Sequence, residues 1–327
     1  MLNALTQLAH EVYVLTPGQT ILDQQADSPN PFTALSDPAN VKLFLLFAVL
    51  TLAILVFALF LKSIKPMQRL GKFIDKASVF APDLIRVAFG ASLVLSATNN
   101  SLFGPELPLY SFPMPEVFKV LLLVAGIGLI LGVLTSLFAA LAGLFFVYGF
   151  LYEGIYMLTY VNYLGEALAV MLFPVQNFSV DRLILRLRKL KPAKPKFAKY
   201  SMPTARLLFG FSLLWTALSV KLADSALSLD VVEQYNLTDY FQFYPLFIVL
   251  GAALVESLIA ILYMLGLLQR FNTVFFLIFL TLSITFFKED IWPHYLLIAL
   301  GIGIFLHKPD DWALDKYLFA AKRKRAK

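Results

Sequence analysis

A series of apolar runs, each close to the length needed to cross a lipid bilayer, constrains this chain more than any other feature of its sequence. The first run extends from Val41 to Leu61, and eight more follow it. A helix needs about 20 apolar residues to cross a hydrocarbon layer of about 30 Å. In that layer every backbone N–H and C=O must be bonded internally, which favours helices. The sequence therefore predicts an all-α, polytopic membrane protein with nine transmembrane helices.

The composition agrees with this fold class. Apolar residues make up 59% of the 327 positions and charged residues only 15%, whereas ordinary soluble domains have about 25% charged residues. The spans after the first are predicted at Leu84–Phe103, Val117–Ser136, Leu137–Tyr152, Tyr163–Phe173, Arg206–Ala223, Tyr244–Leu268, Phe271–Phe287 and Pro293–Leu306.

The positions of Lys and Arg indicate how the spans are oriented. A basic cluster follows the first span directly, so this end is expected in the cytoplasm and the N-terminus outside. With nine alternating spans, only four of the 27 Lys and Arg residues fall outside, namely Lys42, Lys119, Lys221 and Lys288. We expect a multi-pass protein of a bacterial inner membrane with a cytoplasmic C-terminus. The net charge of +6 is explained by this topology and predicts no nucleic-acid partner.

An internal repeat organises the spans. RVAFGASLVLSA, from Arg86, aligns with RLLFGFSLLWTA, from Arg206, at an offset of 120 residues. NYLGEALAVMLF, from Asn162, aligns with HYLLIALGIGIF, from His294, at 132, and FSVDRLI aligns with WALDKYL at 134. Four spans in each copy give both copies the same orientation in the membrane. We therefore predict two parallel four-helix repeats plus one N-terminal helix.

Three motifs of the repeat resemble those of the DoxX-like family of bacterial membrane proteins. They are an Arg-x-x-x-Gly start (Arg86–Gly90 and Arg206–Gly210), a Glu before a glycine-bounded apolar run (Glu256), and an aromatic-x-x-Asp-basic segment (Phe178–Arg182 and Trp312–Lys316). The resemblance implies a four-helix membrane unit and, for some members, association with a membrane oxidoreductase such as a thiosulfate to quinone electron-transfer complex. It implies no single reaction. The first copy departs from the pattern, because its apolar run LLLVAGIGLILG has no carboxylate.

These features divide the chain into five segments. Residues 1–40 form an extracytoplasmic tail, and residues 41–82 contain the first transmembrane helix and a basic cytoplasmic linker. Residues 83–190 form the first DoxX-like four-helix unit, residues 191–202 a cytoplasmic Lys/Pro linker, and residues 203–327 the second unit with a basic C-terminus.

Polar residues within the spans are the candidates for ligand binding. Glu256 is predicted near the centre of its span, where a lone ionised group costs at least about 2.5 kcal/mol. It must therefore be protonated, paired or directed into a polar cavity. Asn162 and Glu166 share one helix face a turn apart, and His294 aligns with Asn162 in the second copy. Two alternatives stay open: a neutral acid bonded to a neighbouring helix, and polar residues that only reach the headgroups.

Charged residues at the cytoplasmic boundary are candidates for structural ion pairs. Arg86 and Arg206 open the first helix of each copy, whereas Asp181 and Asp315 begin the segments that return to the same boundary. Opposite charges at equivalent positions predict one ion pair in each copy, which would hold the closing segment beneath the bundle. The alternative is a site for an anion or a lipid headgroup.

The sequence predicts no intrinsic cofactor and no metal site. It contains no cysteine, which excludes disulfides, thiolate catalysis and cysteine-held iron–sulfur clusters. His10 lies in the tail, and His294 and His307 are separated on one helix by about 20 Å, too far to share a haem iron. No phosphate loop, zinc motif or hydrolase elbow is present. The sequence leaves open whether the chain is an enzyme.

Two functional hypotheses from different classes follow, with a structural scaffold as a third. The first is an accessory subunit of a membrane redox system that binds a quinone or lipid-like molecule, with the lipid bilayer and a membrane oxidoreductase complex as partners. The alternative is a small-molecule or proton-coupled membrane carrier. The carrier predicts that Glu256 and Glu166 face one water-accessible path, the redox subunit predicts a dry aromatic cleft, and the scaffold predicts neither.

Overall fold

The computed structural model describes residues 28–192 and 196–318, and these residues form helices and loops without any β-strand. The all-α prediction is therefore confirmed for this part of the chain. His10 and the basic C-terminus after residue 318 lie outside the described residues. The α-helices, numbered in chain order, are α1 (Pro38–Ser63), α2 (Lys65–Ile74), α3 (Ala81–Thr98), α4 (Pro115–Leu131), α5 (Thr135–Glu153), α6 (Val161–Leu172), α7 (Val180–Leu187), α8 (Ser201–Thr216), α9 (Ser225–Gln234), α10 (Leu237–Phe241), α11 (Pro245–Leu265), α12 (Gln269–Phe287) and α13 (Tyr295–Leu306).

Six helical stretches of the described residues are long and apolar enough to cross a membrane. They support a multi-pass membrane protein, but they do not reproduce the predicted count of nine spans. Helix α4 has 17 residues and α13 has 12. Helices α5 and α6 belong to one stretch, because the 3-10 segment Gly154–Tyr160 joins them. The six stretches are Pro38–Ser63, Lys65–Thr98, Thr135–Leu172, Ala198–Ala223, Pro245–Leu265 and Gln269–Phe287.

Among the helices that end earlier than predicted, two end at a glycine. The predicted spans Val117–Ser136 and Tyr244–Leu268 continue through Gly132 and Gly266, but α4 and α11 end just before these glycines. Both glycines adopt a left-handed backbone, with φ of 68° and 63°. Glycine takes this helix-ending conformation without steric strain. Hydrophobicity alone does not detect such a turn, because the residues on both sides of it are apolar.

Glycines allow two helix pairs to pack very closely. A Cβ atom added at Gly90 of α3 would lie 2.6 Å from the backbone oxygen of Gly126 in α4. A Cβ atom added at Gly210 of α8 would lie 2.7 Å from the backbone oxygen of Ala260 in α11. Small residues at such crossings are typical of membrane helices, whose association depends on close packing. The pairs α3–α4 and α8–α11 therefore form tight contacts in the core.

The two halves of the bundle, residues 81–187 and residues 201–318, each pack their last apolar helix, α6 or α13, against the other half. Helix α6 packs against α8, and a Cβ atom added at Gly165 would lie 2.6 Å from Leu208 Cβ. Helix α13 packs against α3, where a Cβ atom added at Gly303 would lie 2.6 Å from Ile85. The last apolar helix of each half thus lies against the first helix of the other half.

Helix α1 lies at the edge of the bundle. Only 6% of its most apolar 18-residue stretch is buried, as expected for a helix that faces lipid. Near its beginning, Phe47 packs edge-on against Phe243, with ring centroids 5.9 Å apart. At its end, Lys62 forms an ion pair with Asp315. The helix is therefore attached to the second half of the bundle at both ends.

The loop before α11 contains two helices that the sequence did not predict. Helix α9 packs against α11, and α10 follows it. The chain preceding α1 also reaches this region, since the Ser28 hydroxyl donates to Asp224 over 2.6 Å. Between α8 and α9 the backbone forms a π-helix over Ala217–Ala223.

Candidate functional site

Arg86 lies fully buried at the beginning of α3, on the side of the bundle where α1 ends and α7 begins, here called the basic side. Its Nη1 donates to the carbonyl oxygens of Leu129 and of Ile130, the latter over 2.8 Å. Its Nη2 donates to the carbonyl oxygen of Phe178 over 2.6 Å and lies 3.4 Å from Asp83. The guanidinium thus bonds the carbonyl groups of the last turn of α4, where the helix itself leaves carbonyl oxygens without an N–H donor.

Arg206 at the beginning of α8 makes the same kind of contact in the second half. It is 1% exposed, and its Nη1 donates to the carbonyl oxygens of Tyr263 and Met264 over 2.5 and 2.6 Å. These carbonyl groups belong to the last turn of α11. Its Nε donates to Asp310 over 2.9 Å. Each arginine therefore pairs with a carboxylate, but not with the predicted one.

Asp181 and Asp315 bond backbone amides instead of the arginines, so the predicted ion pairs are wrong. Asp181 accepts hydrogen bonds from the N–H groups of Leu134 and Thr135 over 2.9 and 3.0 Å. Asp315 accepts from the N–H groups that begin α12, at Leu268 over 2.9 Å and at the next residue over 3.1 Å. The first amides of a helix lack internal partners and attract negative charge, which explains this choice.

Asn162 and Glu166 lie on α6 where it packs against α8. The Ser212 hydroxyl of α8 donates to the carbonyl oxygen of Thr159 and lies 3.2 Å from the side-chain oxygen of Asn162. Glu166 is 0% exposed, and neither of its carboxyl oxygens has a hydrogen-bond partner among the described residues. The structure therefore brings Asn162 into a hydrogen-bonded contact and leaves the Glu166 carboxyl buried without one.

Aromatic side chains lie beside this polar contact. Tyr163 stacks on Phe103 with ring centroids 4.1 Å apart, and its hydroxyl donates to the Phe103 carbonyl oxygen over 3.2 Å. Phe89 of α3 meets the same tyrosine edge-on at 6.2 Å. The Glu106 carboxylate accepts hydrogen bonds from two further phenols, those of Tyr156 and Tyr160. Aromatic rings thus occupy the space between α3, α6 and the loop after α3.

Glu256 lies near the middle of α11 and forms an ion pair with Lys221. Its Oε2 is 3.2 Å from the Lys221 Nζ, and the two side chains are 21% and 13% exposed. Lys221 belongs to the π-helix that continues α8. Of the three states expected for an intramembrane carboxylate, Glu256 is paired. Isolated π-helical turns occur frequently at functional sites.

His294 precedes α13 and bonds Glu289. The His294 Nε2 is 2.5 Å from the Glu289 Oε2, and both side chains are 5% exposed. The four ligand-binding candidates therefore divide among three places: the α6–α8 contact, the Lys221–Glu256 pair and the His294–Glu289 pair.

Burial shifts the pKa values of several titratable groups outside the membrane-spanning helices, among them His307 and Asp230. Burial lowers the pKa of His307, which lies at the end of α13. Burial and the neighbouring charge of Glu233 raise the pKa of Asp230 in α9. Both groups are less readily charged than in water.

Several partner residues were not anticipated from the sequence. Lys221 was predicted at the outer end of the span Arg206–Ala223 without a partner, and Glu289, Ser212 and Asp310 were not considered. Lys221, Glu289 and Asp310 are charged residues beside apolar runs, and this pattern indicates that each needs a partner. Which partner each one finds depends on how the helices pack. Ser212 gives no such signal, because a serine in an apolar span commonly bonds its own helix.

The described residues contain no group of three or more His, Asp or Glu side chains placed to hold a metal ion. Comparison of the chain with known protein families, curated proteins and solved structures gives no match.

Proposed function

We propose that this chain is a DoxX-like protein of a bacterial inner membrane, built from two copies of a four-helix unit, that binds a quinone or lipid-like molecule as an accessory subunit of a membrane redox system. The alternative proposals are a carrier and a scaffold. The family assignment rests on the sequence motifs, and the ligand-binding role rests on the surroundings of Glu166.

Residues that make equivalent contacts are separated by a constant number of positions along the chain, and this supports the proposal of two copies. Gly132 and Gly266 end the second helix of each unit, and Asp181 and Asp315 bond the beginning of the third. Both glycines and both aspartates are separated by 134 residues. Helices α5 and α12 have 19 residues each, and α6 and α13 have 12 each. From the second helix of the unit to its end, the spacing is the same.

This spacing changes one equivalence drawn from the sequence. An offset of 132 paired Asn162 with His294, but α6 and α13 begin at positions that differ by 134. Asn162 and Glu166 then correspond to Leu296 and Leu300. The polar pair on α6 has an apolar equivalent on α13, so this candidate site belongs to one unit only.

The topology that we propose has nine crossings and an outer N-terminus. Arg86 joins the beginning of α3 to the end of α4, and Asp181 joins the beginning of α5 to the segment after α6. Because of these contacts, the end of α4 and the beginnings of α3 and α5 lie together on the basic side of the bundle. The Lys and Arg residues of the loops concentrate on that side, which favours a cytoplasmic location. Helices α6 and α13 then cross as short helices extended by 3-10 segments.

The observation that carries the ligand-binding proposal is the unpartnered carboxyl group of Glu166. A buried polar group without a hydrogen bond costs about 1–3 kcal/mol, and such groups are rare in folded proteins. A ligand with a hydrogen-bonding group would offset that cost. Ionisable residues inside membrane-spanning segments mark functional sites more often than structural ones.

The neighbouring groups fit a quinone. Its ring would pack beside Tyr163 and Phe103, which stack on each other, and its two carbonyl oxygens accept hydrogen bonds. The Asn162 amide and a protonated Glu166 carboxyl can donate them. When bound, a quinone would supply electron exchange with a partner enzyme. The residues of this chain would bind and orient the ring, exclude water and hold a proton on the Glu166 carboxyl.

The test is to extract and identify the quinones and lipids that co-purify with gently solubilised protein. We expect a quinone with the wild type, and about fivefold less with Glu166→Leu, since one lost neutral hydrogen bond corresponds to about 1 kcal/mol. Gln is avoided because its amide would still donate a hydrogen bond. Glu116→Leu, the same change at an exposed position, is the control. Equal quinone content in all three proteins would contradict the proposal.

The carrier is favoured by one specific observation, the Lys221–Glu256 pair beside a π-helix. An ion pair inside a membrane span can exchange a proton or a charged substrate for its internal partner. Reconstituted vesicles would test this alternative. A Glu256→Gln variant that loses uptake of a substrate or a proton, while wild type and Glu166→Leu retain it, would favour the carrier over quinone binding.

A further inference from the structure

Two short helices on the basic side expose apolar residues that no other part of the described protein covers. On α7, Leu183, Ile184 and Leu187 are 53%, 40% and 74% exposed. On α2, three apolar residues are 42%, 48% and 69% exposed, namely Met67, Leu70 and Phe73. Within each helix these residues lie three or four positions apart or next to one another, so they form one apolar face.

Basic residues occupy the other faces of the same helices. Helix α7 carries Arg182 and Arg186, and Arg188 and Lys189 follow directly. Helix α2 carries three basic residues, Lys65, Arg69 and Lys72. A helix with one apolar and one basic face is typical of segments that lie in the plane of a membrane interface.

Contacts with membrane-spanning helices fix the level of both short helices relative to the membrane surface. Asp181 in the first turn of α7 bonds the N–H groups that begin α5. Arg270 in the first turn of α12 donates to the Gly71 carbonyl oxygen in α2 over 3.0 Å and pairs with Asp75 over 2.7 Å. Because α5 and α12 enter the membrane at these residues, α2 and α7 lie at the level where lipid headgroups begin.

We infer that α2 and α7 form a binding surface for anionic lipid headgroups. Their apolar faces enter the boundary between headgroups and acyl chains, and their Lys and Arg side chains contact phosphate groups. The charge of their basic faces is complementary to anionic lipids. An acidic soluble protein would leave these apolar side chains without a partner.

Arg86 and Arg206 do not form this surface, although the sequence allowed them as a headgroup site. Both are buried, and their guanidinium groups bond backbone carbonyl oxygens and carboxylates. The exposed basic residues of α2 and α7 are therefore the candidates for lipid contact.

The first test measures which lipids remain bound when the full chain is released from nanodiscs that contain equal amounts of phosphatidylglycerol and phosphatidylcholine. Native mass spectrometry gives the ratio of the two adducts. Each basic residue near an anionic surface changes binding by about fivefold. We expect the triple variant R182Q/R186Q/R188Q to lose at least about tenfold of the preference for phosphatidylglycerol, and K65Q/R69Q/K72Q to behave similarly.

The matched control is K42Q/K119Q/K288Q, which removes the same charge from the opposite side of the bundle. It is expected to keep the wild-type ratio. An unchanged ratio in both test variants, or an equal loss in the control, would overturn the inference.

A second measurement tests the position of the helices without relying on charge. The chain has no cysteine, so Phe73→Cys and Leu187→Cys each give a single attachment site for a spin label. In anionic vesicles we expect these labels to be more accessible to oxygen, which concentrates in lipid, than to a water-soluble nickel complex. The reverse order would contradict the inference even if the lipid ratios change.

Discussion

Arg86 and Asp181 hold the same turn of the chain from its two sides. Arg86 bonds the carbonyl groups that end α4, and Asp181 bonds the amide groups that begin α5. At a membrane boundary these helix ends have limited access to water, so their unpaired backbone groups need partners of opposite polarity. Arg206 and Asp315 do the same for the turn between α11 and α12. The charges stabilise helix ends, which is why they do not pair directly.

Removing either arginine should destabilise the protein strongly. Arg86→Met and Arg206→Met remove the donor to the carbonyl oxygen of Ile130 or Met264 and leave a carboxylate without its cation. We expect each to lower the free energy of unfolding by about 3–5 kcal/mol. Thermal unfolding in detergent would measure the change. Arg69→Gln, at an exposed position, should stay within about 0.5 kcal/mol of wild type. An Arg86→Met variant with the same free energy of unfolding as wild type would refute this role.

Alanine should be tolerated at one glycine of α11 and not at the glycines of the helix crossings. In Gly90→Ala and Gly210→Ala, the new Cβ atom would lie 2.6 and 2.7 Å from a backbone oxygen, so the helices must separate. We expect a loss of about 1–3 kcal/mol for each. At Gly251 an added Cβ atom meets nothing within 4 Å. Gly251→Ala should therefore be neutral or stabilising by up to about 1 kcal/mol, as unfolding curves of the three variants would reveal.

The two aspartates at the helix beginnings should respond differently to neutralisation. Asn retains an oxygen that accepts a backbone hydrogen bond, so Asp181→Asn should cost only about 1 kcal/mol. Asp315→Asn additionally removes the partner of Lys62 and should cost more. Limited proteolysis of the segment after α1 would check this, since we expect faster cleavage in Asp315→Asn only. Equal cleavage in both variants would count against attachment of α1 through Lys62.

The Lys221–Glu256 pair should show a strong coupling energy. Lys221→Met removes the cation that faces the Glu256 carboxylate, which must then take up a proton or stay charged, and we expect a loss of about 3–5 kcal/mol. The double variant Lys221→Met/Glu256→Leu removes both charges and should recover most of that stability. A double-mutant cycle on unfolding free energies measures the coupling. Additive losses would mean that the two side chains do not stabilise each other.

His307 should make the protein less stable in mild acid. Burial holds its pKa below the ordinary value of 6.5, so the unfolded chain binds a proton more readily than the folded one. The free energy of unfolding should therefore fall as the pH decreases below about 6.5. His307→Gln should lose less stability between pH 7 and pH 5 than wild type. Parallel pH profiles of the two proteins would disprove the contribution of this residue.

The all-helical fold and the membrane setting could be predicted because both follow from local sequence. The longest apolar runs reach the length that crosses a bilayer, and the repeated motifs stand out against them. The failed details are of another kind. The predicted partners of Arg86 and Arg206 were chosen by charge alone, whereas backbone groups at helix ends compete for the same side chains.

The sequence by itself determined that the chain is helical, that it enters the membrane several times and which residues are charged within apolar surroundings. These properties depend on residue type and spacing along the chain. Only the tertiary structure decided that Glu256 is paired with Lys221 and that Glu166 is buried without a partner. It also decided that the last apolar helix of each half, α6 or α13, packs on the other half. Those outcomes depend on contacts between residues far apart in the chain, which the packing of helices selects among many apolar alternatives of similar free energy.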